Sequence, residues 1–322
     1  MNYVRDRSLD VARGLSMLYI VGVWHLNNYT DAFSLAPWGE YVKNASLGLF
    51  MFLSGYLLGG RYVVRDVGSF WRFLRGRVLR ILPLFALSLL MYYNLGKISV
   101  GTALLSVVGL STFIPPMPLT LWFVSMIIVF YLLFPLLSGG VLWRQIVVAV
   151  VISGVGLAMV LLGTGIEKRF VYYFPCFAVG VMLSRYKIPE ILSREVVSLS
   201  LVGAVCASML CWSTGLEWSD WRVILCRPVI AFGGAIVILW VSQYLVRLRG
   251  VALCGGWIAY ASMAAYMFHR HIYQYIRDHV WFPNDGLWRV MWLVFVCLPV
   301  IMLLGWLIQW VYDRALKLII KK

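Results

Sequence analysis

His25 is the first residue in this chain whose type and position suggest chemistry. It follows the apolar stretch from Leu15 to Trp24, and Asp10 and Arg13 stand at the start of the same run. Ionisable groups inside a membrane helix are costly and mark functional sites, and histidine is the side chain that exchanges protons near neutral pH. A continuous helix places His25 about 18 Å beyond Arg13, past the midplane of a core about 30 Å thick. The alternative is a histidine that only hydrogen-bonds a neighbouring helix.

A run of six arginines between the second and third apolar runs is the next candidate, and it ends with Arg77 and Arg80 just before Pro83. A guanidinium binds phosphate through a bidentate fork, whereas an ammonium acts only as a point charge. Arg77 and Arg80 are three residues apart, so a helix presents them on one face, where they would hold an anion at the membrane boundary. The alternative is a belt of arginines that only sets topology, and we prefer it for Arg61 and Arg65.

A third polar group lies near the end of the chain, where Ser262, Tyr266 and His269 follow one another at helical spacing. They form a polar stripe on an otherwise apolar helix. Such a stripe is explained equally well by a binding role and by hydrogen bonds between helices.

The composition indicates an all-α integral membrane protein. Of the 322 residues, 62% are apolar and 13% are charged, against about half and about a quarter in soluble domains. The net charge is +15, but the basic residues lie between apolar runs, which is typical of cytoplasmic loops, so we expect no nucleic-acid partner. The six cysteines are scattered through apolar segments, and we expect neither disulfides nor a metal site.

Eleven apolar runs are candidates for the membrane-spanning helices, which need about 20 residues each. If run 98–114 does not cross the membrane, 19 of the 28 lysines and arginines fall on the same side of the membrane as the N-terminus. If all the runs cross, 16 do. The positive-inside rule favours the first arrangement. We therefore predict one domain over residues 1–322, with about ten transmembrane helices, a re-entrant segment, an N-terminal helix that is retained, and both termini in the cytoplasm. The runs are 11–30, 44–60, 78–95, 98–114, 120–138, 144–163, 170–184, 196–214, 223–243, 253–276 and 289–313.

Five motifs occur in a fixed order along nearly the whole chain, and together they resemble the acyltransferase-3 family of membrane acyltransferases. Each motif is weak alone, whereas five in order on a chain of this length are specific. The motifs are Asp10-x-x-Arg13-Gly14 with His25, Phe50-Met51-Phe52-Leu53-Ser54-Gly55-Tyr56-Leu57, Arg77-x-x-Arg80-Ile81-x-Pro83, Leu121-Trp122-Phe123 with Phe130-Tyr131-Leu132-Leu133-x-Pro135, and Ser262-x-x-x-Tyr266-Met267-x-His269.

The resemblance implies an O-acyltransferase in the bacterial cytoplasmic (inner) membrane. Its expected donor is cytoplasmic acyl-CoA, with acetyl-CoA as the default. Its expected acceptor is a hydroxyl of an extracytoplasmic or lipid-linked glycan, with membrane lipid as a further partner. The residues assigned to catalysis are His25, as the general base, with Asp10 and Arg13. The residues assigned to donor binding are Arg77, Arg80, Ser262, Tyr266 and His269. The competing class is a transporter or flippase of a lipid or glycan, which would consume no acyl-CoA.

The chain departs from the family pattern in two places. Eleven residues separate Arg13 from His25, where relatives usually have ten, and one extra helical residue rotates His25 by about 100°. Either a bulge restores the face or the two residues do not act as a pair. In addition, residues 124–129 contain no carboxylate, although many relatives carry an acid there.

Polar and aromatic residues just after the first apolar run are candidates for contacts with the acceptor sugar. They follow helix one on the side away from the N-terminus, where the acceptor is expected. These residues are Asn27, Asn28, Tyr29, Trp38 and Glu40.

Overall fold

The computed structural model describes residues 6–32, 34–213, 220–284 and 286–320. The chain is 80% helical, and no strand occurs in these ranges, so the predicted all-α class is confirmed. Two compact units are formed. Unit 1 comprises Met1–Ser46 and Ile238–Lys322, and unit 2 comprises Leu47–Val237. The assignment of the whole chain to one functional domain stays a prediction.

Thirteen α-helices occur in the described residues. They are α1 (Arg7–Gly22), α2 (Trp38–Gly59), α3 (Val67–Asn94), α4 (Val100–Val107), α5 (Trp122–Leu137), α6 (Leu142–Leu161), α7 (Arg169–Leu183), α8 (Ile188–Ile191), α9 (Arg194–Ser213), α10 (Trp221–Leu245), α11 (Arg249–His279), α12 (Leu287–Trp292) and α13 (Leu298–Ile320). Short 3₁₀ helices cover Trp24–Asn28 and Leu110–Thr112. A π-helical turn at Leu293–Cys297 joins α12 to α13.

Several helices are long and apolar enough to cross a membrane. Among the described residues five meet this criterion, namely α6, α9, α10, α11 and the continuous helix Leu287–Leu318. Large apolar side chains cover their outer surfaces: Val150 on α6 is 65% exposed and Leu199 on α9 is 73% exposed. An apolar surface of this extent is stable only when something other than water covers it. The chain is a multi-pass membrane protein, and the count of ten crossings stays a prediction.

Segment 98–114 is interrupted. The helix α4 has eight residues, which is about 12 Å of helix against a core of about 30 Å. It ends before Gly109, whose φ of +82° lies in the left-handed region that glycine adopts without a Cβ penalty. A 3₁₀ turn then covers Leu110–Thr112. A helix this short does not span the core, and the re-entrant path of the segment stays a prediction.

In unit 1, the helix α11 packs against both α1 and α13. The contacts are made by small residues: Gly14 of α1 lies against Gly255 of α11, and Gly305 of α13 lies against Ala265 of α11. Membrane helices associate through such residues because lipid supplies no hydrophobic drive and close backbone approach is what gives contact area. The first helix is therefore held in one register along α11.

In unit 2, the second-helix motif is a packing motif. Gly55 of α2 lies against the backbone of Phe177 in α7, and Gly180 of α7 lies against the backbone of Phe52 in α2. Each helix thus contributes a glycine where the other presents a carbonyl. The motif Phe50–Leu57 thus brings α2 and α7 into close contact. Its glycine serves packing, since it has no side chain that could react.

We expect Gly255→Ala to destabilise unit 1. The added Cβ would lie 2.9 Å from Val11 Cα, a backbone atom that cannot turn away, and overpacking of this kind costs about 1–3 kcal/mol. The matched control is Gly256→Ala, where a Cβ meets nothing within 4 Å. Thermal unfolding in detergent should show a lower midpoint for Gly255→Ala alone. Equal midpoints for the two variants would contradict the packing described.

Candidate functional site

His25 does not lie in a continuous first helix, so that prediction was wrong. The helix α1 ends at Gly22, and Val23 leaves helical geometry with φ −128° and ψ −60°. Residues Trp24–Asn28 then form a tighter 3₁₀ helix. Asn28 Nδ2 donates a hydrogen bond of 2.9 Å to the carbonyl of His25. Asparagine side chains compete in this way with helical hydrogen bonds, so this bond stabilises the 3₁₀ segment.

Arg13 and His25 nevertheless face the same neighbouring helix. Arg13 Nη2 donates to Ser262 Oγ at 3.3 Å, and the ring of His25 stacks on the ring of His269. Ser262 and His269 are seven residues apart on α11, which is about two helical turns. The extra residue between Arg13 and His25 therefore does not turn His25 away, because the break at Val23 changes the rotation of the chain.

His25 and His269 form a buried imidazole pair. Their ring centroids are 4.6 Å apart with an angle of 13° between the planes, and their exposed fractions are 7% and 0%. Nδ1 of His25 and Nε2 of His269 have no hydrogen-bond partner within the described part of the chain. Buried polar atoms are rarely left unpaired. Because like charges at this distance repel, a proton on one ring disfavours a proton on the other.

The orientation of His269 is set by its own helix. Its Nδ1 lies 2.7 Å from the carbonyl oxygen of Tyr266. A carbonyl only accepts, so Nδ1 carries the hydrogen and Nε2 of the neutral ring keeps its lone pair. The ring of Tyr273 packs edge-on to His269 at 6.5 Å, and its hydroxyl donates to the carbonyl of Val21 at 3.3 Å. The pair is thus held by contacts from both α11 and the end of α1.

The structure separates Asp10 from His25, whereas Arg13 lies one turn after Asp10 on the same helix. Asp10 lies in the first turn of α1, twelve helical residues or about 18 Å before Gly22. An acidic residue at this position stabilises the helix N-terminus. Tyr266, in contrast, lies beside the imidazole pair, with its ring centroid 5.9 Å from that of His269. Among the described residues, no group of three or more His, Cys, Asp and Glu side chains could hold a metal ion.

Arg77, in the basic run of unit 2, is better oriented than Arg80 to bind an anion. Its Nη2 donates to the hydroxyl of Tyr62 at 2.8 Å, and its guanidinium carbon lies 5.1 Å from the centroid of that ring. Its buried Nε has no partner in the residues that the structure describes. Arg80, one turn later on α3, is exposed. Arg77 therefore has a fixed orientation and a donor to spare.

Trp122 of the mid-chain motif belongs to a charged aromatic cluster that sequence reasoning missed. The guanidinium of Arg169 lies 4.0 Å from the ring of Trp122, which stacks on Tyr173. Two nitrogens of Arg169 donate to the two carboxylate oxygens of Glu167, each at 2.8 Å. Burial opposes ionisation of Glu167, but the hydrogen bonds and charge of Arg169 outweigh it and keep its pKa below the usual range. A carboxylate thus reaches this cluster from the segment before α7.

A polar cavity of about 300 Å³ begins just after His25. Three of the residues predicted to contact a sugar, Asn27, Asn28 and Tyr29, line it. Glu40 is instead paired with Lys43, whose Nζ lies 2.6 Å from its carboxylate. Sequence reasoning missed Arg277 and Arg289, which also line the cavity, because no motif connects them with the first apolar run.

A family model described as an acyltransferase domain, that of acyltransferase-3, matches residues 6–310. The chain belongs to the acyltransferase-3 family. The match contains all five motifs and extends over residues of both units, so the resemblance seen in the sequence is confirmed. No curated protein and no solved structure matches this acyltransferase.

We expect nuclear magnetic resonance of histidine labelled with ¹³C and ¹⁵N to show the Nδ1–H tautomer for His269. The carbonyl of Tyr266 imposes this tautomer, whereas a free neutral imidazole favours the other one. The His269→Phe variant identifies the signal, because it keeps an aromatic ring against His25 and removes both nitrogens. An Nε2–H signature for His269 in the purified protein would contradict the assigned geometry.

Proposed function

We propose that this membrane acyltransferase is an O-acyltransferase that moves an acyl group, with acetyl as the expected one, from cytoplasmic acyl-CoA to a hydroxyl of an extracytoplasmic or lipid-linked glycan. The observation that carries the proposal is the buried imidazole pair in a chain that belongs to an acyltransferase family. A buried histidine also suits a transporter or flippase, so the membership of an acyltransferase family is what favours acyl transfer.

His25 is the proposed general base. It takes the proton from the acceptor hydroxyl while that oxygen attacks the thioester carbonyl. The carbon–sulfur bond then breaks, and the thiolate of CoA leaves with the proton that His25 has accepted. An ester and free CoA result, and the histidine returns to its neutral state. The burial of His25 and its unpartnered Nδ1 support this role.

The neighbours of His25 on α11 hold the reacting groups in place. His269 stacks on His25 and is a positioning residue, because a fixed ring orientation supplies much of the rate in such a reaction. Arg13, Ser262 and Tyr266 are the proposed contacts of the acyl donor in unit 1. Arg13 and Ser262 already contact each other, two helical turns from the imidazole pair. Asp10, one turn before Arg13 on α1, is the proposed residue that orients Arg13 or contacts the donor.

Arg77 and Arg80 are the proposed contacts of the CoA phosphates. The free Nε of Arg77 and its contact with Tyr62 support the assignment, because an oriented guanidinium loses less freedom when an anion binds. Arg80 adds a second charge one turn along the same helix. The proposed setting is the bacterial cytoplasmic membrane with both termini inside, as the distribution of the basic residues favours.

We expect His25→Ala to reduce acyl transfer by at least about 100-fold, the usual contribution of a general base. Two measurements check this: consumption of radiolabelled acetyl-CoA by the purified protein with a cell-envelope extract as acceptor, and the acetyl ester content of surface glycans by mass spectrometry. The control is His279→Ala, which removes an exposed histidine at the end of α11. Normal acylation by folded His25→Ala protein would reject the role of His25. Wild-type protein that consumes no acetyl-CoA would instead favour the flippase.

We expect Arg77→Ala to raise the KM for acetyl-CoA by about 10- to 100-fold, as the loss of a charged hydrogen bond predicts, with a smaller change in kcat. The effect should weaken as salt is added, because exposed charge interactions are screened. The matched control is Arg75→Ala, which removes an exposed arginine two residues earlier on the same helix. Equal KM values for the two variants would return Arg77 to a structural role.

A further inference from the structure

The polar cavity beyond His25 is built entirely within unit 1. One wall is the end of the 3₁₀ helix and the residues after it, from Asn27 to Asp31. The opposite wall is formed by Arg277, Phe282 and Arg289. Arg289 ties the walls together: its Nε donates to the carbonyl of Pro283 at 2.9 Å and its Nη1 donates to that of Tyr29 at 3.4 Å.

The cavity is connected to the imidazole pair by direct contacts. Asn28, which lines it, donates a hydrogen bond to the carbonyl of His25. Tyr29, on the same wall, lies 4.6 Å from Tyr273 between ring centroids, and Tyr273 packs edge-on to His269. A molecule in the cavity would therefore lie at the end of the 3₁₀ helix that carries the proposed base.

The lining is chemically mixed. Amides, a carboxylate and two guanidiniums supply hydrogen-bond donors and acceptors. The ring of Phe282 supplies an apolar surface and is held by the guanidinium of Arg289, which lies 5.2 Å from its centroid. A sugar ring needs both, because its edge carries hydroxyls while its face presents C–H groups that pack on aromatic rings. A phosphate is a poorer match, since the Asp31 carboxylate lines the same space. The volume of about 300 Å³ is at the small end for ligand pockets, which suits one sugar residue.

We infer that this cavity binds one neutral sugar residue of the acceptor, with Asn27 as a hydrogen-bonding contact and Phe282 as its stacking surface. The inference rests on the proposed function, and it names the class of molecule that this site takes. The hydroxyl to be acylated would point from the cavity toward the imidazole pair.

Binding of methyl glycosides tests the inference without any acyl donor. Saturation-transfer magnetic resonance is measured on the purified full chain in detergent with methyl glycosides of glucose, galactose, mannose and rhamnose. At least one glycoside should receive saturation. Its affinity should fall about fivefold in Asn27→Ala, as the loss of one neutral hydrogen bond predicts, and it should also fall in Phe282→Ala. The matched control is Asn284→Ala, an exposed asparagine close to Phe282 that does not line the cavity.

The outcomes separate the two proposals. The inference is overturned if no glycoside binds, if methyl phosphate displaces the bound glycoside, or if both variants keep wild-type affinity at an unchanged melting midpoint. Acetyl-CoA consumption without glycoside binding would overturn the sugar site and leave the acyltransferase proposal intact. Glycoside binding that is lost in the two variants, in a protein that consumes no acetyl-CoA, would support the sugar site and reject the acyl transfer.

Discussion

The close approach of α1 to α11 is the constraint on which the rest of unit 1 depends. Gly14 and Gly255 let the two backbones meet where any side chain would separate them. This contact sets the register of the two helices. The C-terminal end of α1 therefore lies beside the later residues of α11, and the ring of His25 stacks on that of His269. An interaction between two residues without side chains thereby positions the two stacked imidazole rings.

The break at Val23 turns this packing into a site. A straight helix would have continued its rotation, whereas the 3₁₀ segment directs His25 toward α11 and leads directly into the polar cavity. The imidazole pair thus lies between an apolar interior and a polar surface. In such a setting the low local dielectric disfavours the charged form of histidine, so the rings are held neutral and each keeps a lone pair, at the expense of basicity.

Much of this could be predicted from the sequence, since apolar runs and ordered motifs identify a helical membrane protein and its family. The prediction that His25 has a functional role followed from the cost of an ionisable residue in an apolar run. Its stacking on His269 did not, because the residues are 244 positions apart and the contact depends on glycines whose pairing leaves no periodic signal. Arg289 was missed for the same reason, and Glu167 was missed because local composition does not show which segment reaches Trp122.

The hydrogen bond between Arg13 and Ser262 joins residues 249 positions apart, and this has a consequence for biogenesis. At about 5–20 residues per second, the ribosome needs on the order of 12–50 s to reach Ser262 after it has made Arg13. During that interval the contact between α1 and α11 cannot form. The final packing of the first helix is therefore completed only after most of the chain has been synthesised.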